Sequence, residues 1–303
     1  MPIYELSYRD WQGTRTPQSR RWLTIFMADF AILARKRWLR FFVALGLSPS
    51  LVVLFSVLWN SGLLINIIAS FSESTALGLA GSSAVPAVDA KLFCSFYHYQ
   101  NLILFLLALL AGSGRVANDI RTNAFLLYLS RPVTELDYVF GKFAAVAAVL
   151  ATVSLIPGMG LLALSWLLRP NPGALFKYAH PFVIDARVSA AVVLVGVVAC
   201  LYYAAGVLLC SAFSESARGA AVRFAALYYL SGFVYGMASM ATGSTRVMFL
   251  SFQGNLDAVS SWFFGVEPPS DLNPAIAFIV VAGLIAVAVL TLKRRVRAVE
   301  VVE

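Results

Sequence analysis

The sequence predicts an all-α polytopic membrane protein. Hydrophobic residues make up 60% of the 303 residues and charged residues only 13%, whereas a soluble domain carries about 25% charge. The mean hydropathy is +0.81. The polar side chains are too few to cover a globule of this size, and the apolar residues gather into runs that are long enough to cross a bilayer.

Residues 1–48 are expected to form a cytoplasmic N-terminal segment. Between Arg20 and Leu47, apolar residues recur at helical spacing, and they share the segment with a basic cluster at 35–40. This pattern is typical of an amphipathic helix that lies in the membrane interface. The alternative is a flexible basic tail.

Six apolar runs follow, and each is long enough to span about 30 Å of hydrocarbon as a helix. Pro49 suits the start of the first, because proline is tolerated in the first turn of a helix. The predicted spans are residues 49–69, 97–116, 138–168, 188–213, 220–241 and 274–292. Together they make a transmembrane domain over 49–292, followed by a basic cytoplasmic tail at 293–303.

The distribution of lysine and arginine predicts the orientation. Eighteen of these residues fall in the N-terminal segment, the loops after the second and fourth spans and the tail, and five fall on the other side. Cytoplasmic segments carry the excess of positive charge. Both termini are therefore expected in the cytoplasm, in agreement with an even number of spans.

The sequence lacks the residues that several kinds of chemistry require. There is no G-x-x-x-x-G-K-[ST] phosphate loop, and the two histidines, His98 and His180, have no partner at metal-ligand spacing. Ser113 lies in Ala-Gly-Ser-Gly but has no base in reach, which disfavours a membrane-embedded protease. All acidic residues are expected outside the apolar centres, which disfavours ion coupling. The chain is therefore predicted not to be an enzyme, and the energy for any transport should come from a separate subunit.

Some polar and small residues lie inside the predicted spans. Asn60 and Asn66 should face other helices or a cavity, because an unpaired amide in hydrocarbon is costly. Gly232 and Gly236 form a G-x-x-x-G in the fifth span, where two helix backbones can approach closely. Three tyrosines accompany this motif: Tyr228, Tyr229 and Tyr235. These residues are candidates for a dimer seam or a translocation path, and ordinary packing within the subunit is the alternative.

The loop between the second and third spans, 119–142, is long and carries both signs of charge. A charged stretch leads into Leu126-Leu127-Tyr128-Leu129, then Ser130-Arg131-Pro132, and finally Gly141-Lys142 at the start of the third span. This pattern, together with the six spans and the preceding basic helix, resembles the ABC-2 family of ABC transporter permeases. Asn123-Ala124 stands where that family often has glycine and threonine.

The resemblance implies a permease subunit of an ATP-driven exporter in the bacterial cytoplasmic (inner) membrane. A cytoplasmic ATP-binding subunit, which would carry the ATP and Mg²⁺, would dock on the loop, and a second contact would come from 214–218. A second permease copy would complete a homodimer or heterodimer, and this chain itself would bind no cofactor, metal or nucleic acid. The residues assigned to ATPase coupling are Asp119, Arg121, Leu126, Leu129, Ser130, Arg131, Pro132, Glu215 and Arg218.

Two alternatives stay open. Residues 253–264 would resemble the short re-entrant helices that this family has between its last two spans, or they form an ordinary surface loop. The whole chain is alternatively a non-transporting membrane scaffold or assembly factor that is driven by an ATPase partner.

Overall fold

The computed structural model describes residues 20–72, 75, 85–122, 124, 134–168 and 183–300, and these residues form helices and connecting turns with no strand among them. Among the described residues, Thr245–Leu250 form a 3-10 helix. The α-helices are α1 Arg21–Ala34, α2 Arg37–Gly46, α3 Ser48–Asn60, α4 Leu63–Phe71, α5 Ala90–Gly112, α6 Ala117–Arg121, α7 Glu135–Ala151, α8 Leu155–Leu167, α9 Ala186–Ala212, α10 Ala217–Thr242, α11 Phe252–Phe264 and α12 Pro274–Glu300.

Five helical segments in the described part of the chain are long and apolar enough to cross a membrane. A sixth crossing results if α7 and α8, which meet at a bend of 44°, count as one broken span. The protein is therefore an all-α membrane protein. The five segments are Arg37–Asn60, Ala90–Arg121, Ala186–Ala212, Ala217–Thr242 and Pro274–Val296.

The first of these segments begins and ends earlier than the predicted range 49–69. Only Leu47 separates α2 from α3, and its backbone stays in the right-handed helical region, so the two helices form one segment. Gly62, with φ of 82°, then ends the segment, because a left-handed residue cannot continue a right-handed helix. The predicted interfacial helix is correspondingly shorter and corresponds to α1 alone.

Helix α1 is amphipathic and packs along α7. Ile25, Asp29 and Leu33 are buried at intervals of four residues, so they form one face of the helix. Met27 and Ile32 lie on the other side and are exposed. This arrangement agrees with an amphipathic helix whose free face is available to a membrane interface.

Helix α9 is the central helix of the bundle and contacts α5, α7, α8, α10, α11 and α12. Its small residues permit this close packing. A Cβ at Gly206 would lie 2.9 Å from the ring of Phe224, and one at Gly196 would lie 2.8 Å from Leu155. The core of the protein is therefore centred on α9.

Helix α11 confirms the short helix that was predicted at 253–264. The chain turns back after Thr242, the far end of α10, and the backbone N–H of Phe252 donates to Ser231 Oγ near the middle of α10. Helix α11 then returns toward the same end of the bundle and stops at Gly265, with φ of 69°. It is largely buried against α5, α9, α10 and α12, so it is a re-entrant element rather than a surface loop.

Candidate functional site

A buried charge cluster joins α1 to both ends of the long loop. It consists of Asp29, Arg115, Asp119, Tyr138 and Lys142. The Lys142 ammonium lies 2.9 Å from Asp29 Oδ2 and 2.8 Å from Asp119 Oδ2. Arg115 Nη1 donates to Asp29 Oδ1 at 3.3 Å, and the Tyr138 hydroxyl donates to Asp119 Oδ2 at 2.8 Å. Three separate stretches of chain therefore meet at one point.

The cluster balances two cations against two carboxylates. The Lys142 side chain is only 2% exposed and that of Asp29 only 7% exposed. An ionised group at such a depth is tolerated only when it is paired and hydrogen-bonded. Because Lys142 contacts both carboxylates, it is the central member of the charge cluster, and its loss would leave two acids without their shared partner.

Gly141 allows α1 to approach α7 at the same place. A Cβ at this position would lie 2.8 Å from the Cβ of Ile25 and 3.1 Å from the carbonyl oxygen of Trp22. Both are closer than ordinary van der Waals contact. The Gly141-Lys142 pair, predicted only to start the third span, thus provides both the close approach and the ion pair that hold α1.

The loop that was predicted to dock an ATPase is anchored at both ends. Asp119, in α6, belongs to the charge cluster, and Arg121 at the end of α6 is exposed. On the far side, Thr134 and Asp137 form a capping box that starts α7. The predicted docking residues between these ends lie outside the described residues: Leu126, Leu129, Ser130, Arg131 and Pro132.

The second predicted docking segment lies beside the first. Ser211 Oγ accepts hydrogen bonds from the backbone N–H groups of Val116 and Ala117, at 3.2 and 3.0 Å, and donates to the carbonyl of Ser113 at 2.8 Å. These bonds join the end of α9 to the start of α6. Glu215 and Arg218 follow within the next turns and are exposed. The structure therefore places the start of the first segment, in α6, close to the start of the second.

A further cation flanks the charge cluster on its exposed side. Partial burial lowers the pKa of Lys36 from its ordinary value, and the neighbouring Arg115 guanidinium lowers it further. Lys36 and Lys142 are thus two lysines near one arginine in opposite situations: the first is repelled by like charge, and the second is held by two carboxylates.

The glycine motif of α10 faces outward. A Cβ at Gly232 or Gly236 would meet no atom within 4 Å among the described residues. Tyr229 is 59% exposed on this helix, whereas Tyr228 is buried and stacks on the ring of Phe105 with centroids 4.2 Å apart. Ordinary packing within the described part of the subunit therefore does not account for the motif.

The remaining predicted residues have partners within the chain. Tyr235 is half-buried and packs against the core. Asn60 Nδ2 donates to the carbonyls of Ser56 and Pro86, at 2.8 and 2.9 Å. Asn66 Nδ2 donates to the carbonyl of Gly62 at 2.7 Å. The two asparagine amides thus hold the end of the first candidate span and the turn into α4.

Two titratable residues have contacts that the sequence did not predict. Asp257 lies outside the candidate spans, but it is on the buried helix α11, and Asn101 Nδ2 donates to its Oδ1 at 2.7 Å. His98 places Nδ1 3.1 Å from the same oxygen. Helix α11 has a polar sequence that resembles a loop, and only the surrounding helices bury it. Asn101 confirms the rule that an amide inside a span faces another polar group.

Sequence reasoning also missed Asp29, for which a signal existed. Asp29 stands between Ile25 and Leu33 at intervals of four residues, so it falls on the apolar face of α1. A carboxylate on such a face predicts a buried cation.

No family model matches the chain, and no curated protein matches its sequence.

Proposed function

We propose that this chain is the membrane permease subunit of an ATP-driven transporter of the ABC-2 type, and that it works as an exporter. One observation carries the proposal. The described start of the 119–133 loop, in α6, lies beside the end of α9, which leads into the second predicted contact segment, and the buried charge cluster ties Asp119 through Lys142 to Asp29 of α1. A surface that receives a moving partner must be connected rigidly to the elements that move with it.

In this proposal α7 and α8 form one broken span, so that the chain crosses the bilayer six times. The end of the bundle with the charge cluster and the excess of basic residues then faces the cytoplasm. Helix α1 lies along that face of the bacterial inner membrane, with Met27 and Ile32 directed toward the acyl region. Both termini are on the cytoplasmic side.

The ATPase is a separate subunit that holds ATP and Mg²⁺, and this chain supplies no catalytic group. Closure of the ATPase would displace the loop at 119–133. Because Asp119 and Lys142 are ion-paired, the displacement is passed to the start of α7, and because Asp29 is paired to Lys142, it is passed to α1. The loop, α7 and α1 therefore move as one body.

A second permease copy completes the transporter. The outward face of α10, with Gly232 and Gly236, supports this part of the proposal, because small residues let two helix backbones approach closely in a membrane. A lipid-facing G-x-x-x-G with open space beside it is the arrangement that such a dimer requires.

Co-purification with the candidate ATPase tests the proposal. Replacement of Leu126, Leu129 and Arg131 by alanine should weaken association by about tenfold or more, since docking energy concentrates in a few residues. Arg246→Ala is the matched control, because Arg246 is exposed on the 3-10 helix, away from the loop. Undiminished ATPase association of the triple variant would refute the assignment of the loop.

Vesicle transport assays address the second half of the proposal. ATP-dependent efflux from vesicles that contain both subunits is expected, and the triple variant should abolish it. An ATPase that binds and turns over without any transported molecule would instead favour the scaffold or assembly factor.

A further inference from the structure

Two adjoining cavities lie at the end of the bundle opposite the charge cluster. Helix α5 runs between the two regions, and its 23 residues cover about 35 Å at 1.5 Å per residue. The larger cavity, of about 810 Å³, is a half-open groove between α3, α5 and the segment 86–89. The smaller, of about 190 Å³, lies between α5 and the residues around α11.

The larger groove is predominantly apolar. Val52, Val53, Leu92 and Phe96 contribute to its lining, and α3 presents further apolar side chains outside it, such as Leu51 at 63% exposure. A volume of several hundred Å³ with an apolar lining and a few polar groups is typical of a small-molecule site. Its position on a membrane-spanning helix opens it to the acyl region of a bilayer.

Most residues that line the smaller cavity have polar side chains, and among them is the buried Asp257. This carboxylate already accepts from Asn101 and lies beside His98, and Glu267 adds a second, exposed carboxylate to the lining. Lys91 and His98 also line this cavity, and Asp257 already has His98 and Asn101 as partners. Glu267, which is exposed beside Asp257, is therefore the carboxylate that can face a cationic group.

One stripe of α5 separates the two cavities. Lys91, Ser95 and Tyr99, at intervals of four residues, line both of them. The order across the surface is thus an apolar groove, then the ammonium of Lys91, then the carboxylates of Asp257 and Glu267. A phospholipid with an amine in its head has the complementary order: acyl chain, phosphate, ammonium.

We infer that this surface is a binding site for an aminophospholipid drawn from the surrounding membrane. The acyl chain lies in the groove beside Val52, the phosphate contacts Lys91, and the amine is directed to Glu267, beside Asp257. Charge-assisted hydrogen bonds hold the head, and apolar burial holds the chain. The site is separate from the proposed transport function, because binding requires neither ATPase nor turnover.

Native mass spectrometry of the full chain, purified without any ATPase, tests the inference. The probes are lysophosphatidylethanolamine and lysophosphatidylglycerol with the same acyl chain, which differ only in the head. The ethanolamine lipid is expected to bind about tenfold more tightly than the glycerol lipid, because its amine forms a charge-assisted hydrogen bond that the glycerol head cannot form. Equal binding of the two lipids would overturn the inference.

Three variants locate the site. Val52→Trp fills the groove and should lower the affinity for the ethanolamine lipid about tenfold. Leu51→Trp, on the same helix but outside the groove, should leave this affinity unchanged. Glu267→Gln, at an exposed position that leaves the fold intact, should remove most of the preference for ethanolamine. Unchanged binding by Val52→Trp, or an unchanged preference in Glu267→Gln, would contradict the assignment.

Discussion

Removal of the Lys142 ammonium is the sharpest test of the charge cluster. Lys142→Met keeps most of the side-chain volume and deletes only the charge that lies between Asp29 and Asp119, at 2.9 and 2.8 Å. Loss of one partner of a buried ion pair costs about 3–5 kcal/mol of stability, because the other charge remains buried without compensation. The same loss should detach α1 from α7.

The expected cost lies at the lower end of that range. Asp29 retains Arg115 at 3.3 Å, and Asp119 retains the Tyr138 hydroxyl at 2.8 Å and is partly exposed to solvent. We therefore expect a loss of about 3 kcal/mol in the free energy of unfolding. The measurement is SDS-induced unfolding in mixed micelles, followed by the change in helix content.

Lys36→Met is the matched control. Lys36 is an exposed lysine near the same arginine, and no ion pair holds it among the described residues. Its removal should change the free energy of unfolding by no more than about 0.5 kcal/mol, as for most surface substitutions. If Lys142→Met costs no more than Lys36→Met, the charge cluster does not stabilise the contact between α1 and α7.

Three further predictions use the same unfolding measurement. Gly141→Ala places a Cβ 2.8 Å from a side chain of α1 and should cost about 1–3 kcal/mol, whereas Gly160→Ala, which has open space, should cost nothing; equal effects would contradict the close approach. Gly236→Leu should leave the stability of the single chain unchanged but reduce disulfide cross-linking between two copies that carry Tyr229→Cys, and undiminished cross-linking would exclude α10 from the dimer seam. Asp257→Ala should cost about 1–3 kcal/mol, because the buried Asn101 amide loses its acceptor, and a neutral result would show that this carboxylate does not fix α11.

The spans were predictable because their signal is local. A run of about 20 apolar residues is sufficient to identify a crossing, and the predicted runs 188–213 and 274–292 lie close to the observed Ala186–Ala212 and Pro274–Val296. The first span was misplaced at both ends. Arg37 and Arg40 lower the local hydropathy, so α2 resembled an interfacial segment, although it continues into α3.

The contacts of the buried charges were not predictable in the same way. Lys142 precedes a long apolar run, and the usual interpretation places such a lysine at the membrane surface. It is buried because α1, more than a hundred residues earlier in the chain, covers it and supplies Asp29. The burial of Lys142 therefore depends on the tertiary packing of two helices that are far apart in the sequence, and a local pattern of residues cannot predict it.

The same limit applies to Asp257. Helix α11 contains glutamine, asparagine, aspartate and serine, so its hydropathy resembles that of a loop. The neighbouring helices α5, α9, α10 and α12 enclose it, and polar groups on those helices then become its partners. The position of the short helix was evident from its flanking turns, but its depth in the bundle was not.

The composition of the charge cluster indicates what it contributes. A buried ion-pair network is often no more stabilising than apolar side chains of equal volume, so net stability alone does not account for it. The charge cluster instead fixes the position of α1 along α7. Asp29 meets both Arg115 and Lys142 at only one register of α1 along α7, and a shift of one helical turn would separate this buried carboxylate from both of its cations. Displacement of the loop relative to α1 would therefore cost several kcal/mol, so movement of the three elements together is the least costly response to a force applied at the loop.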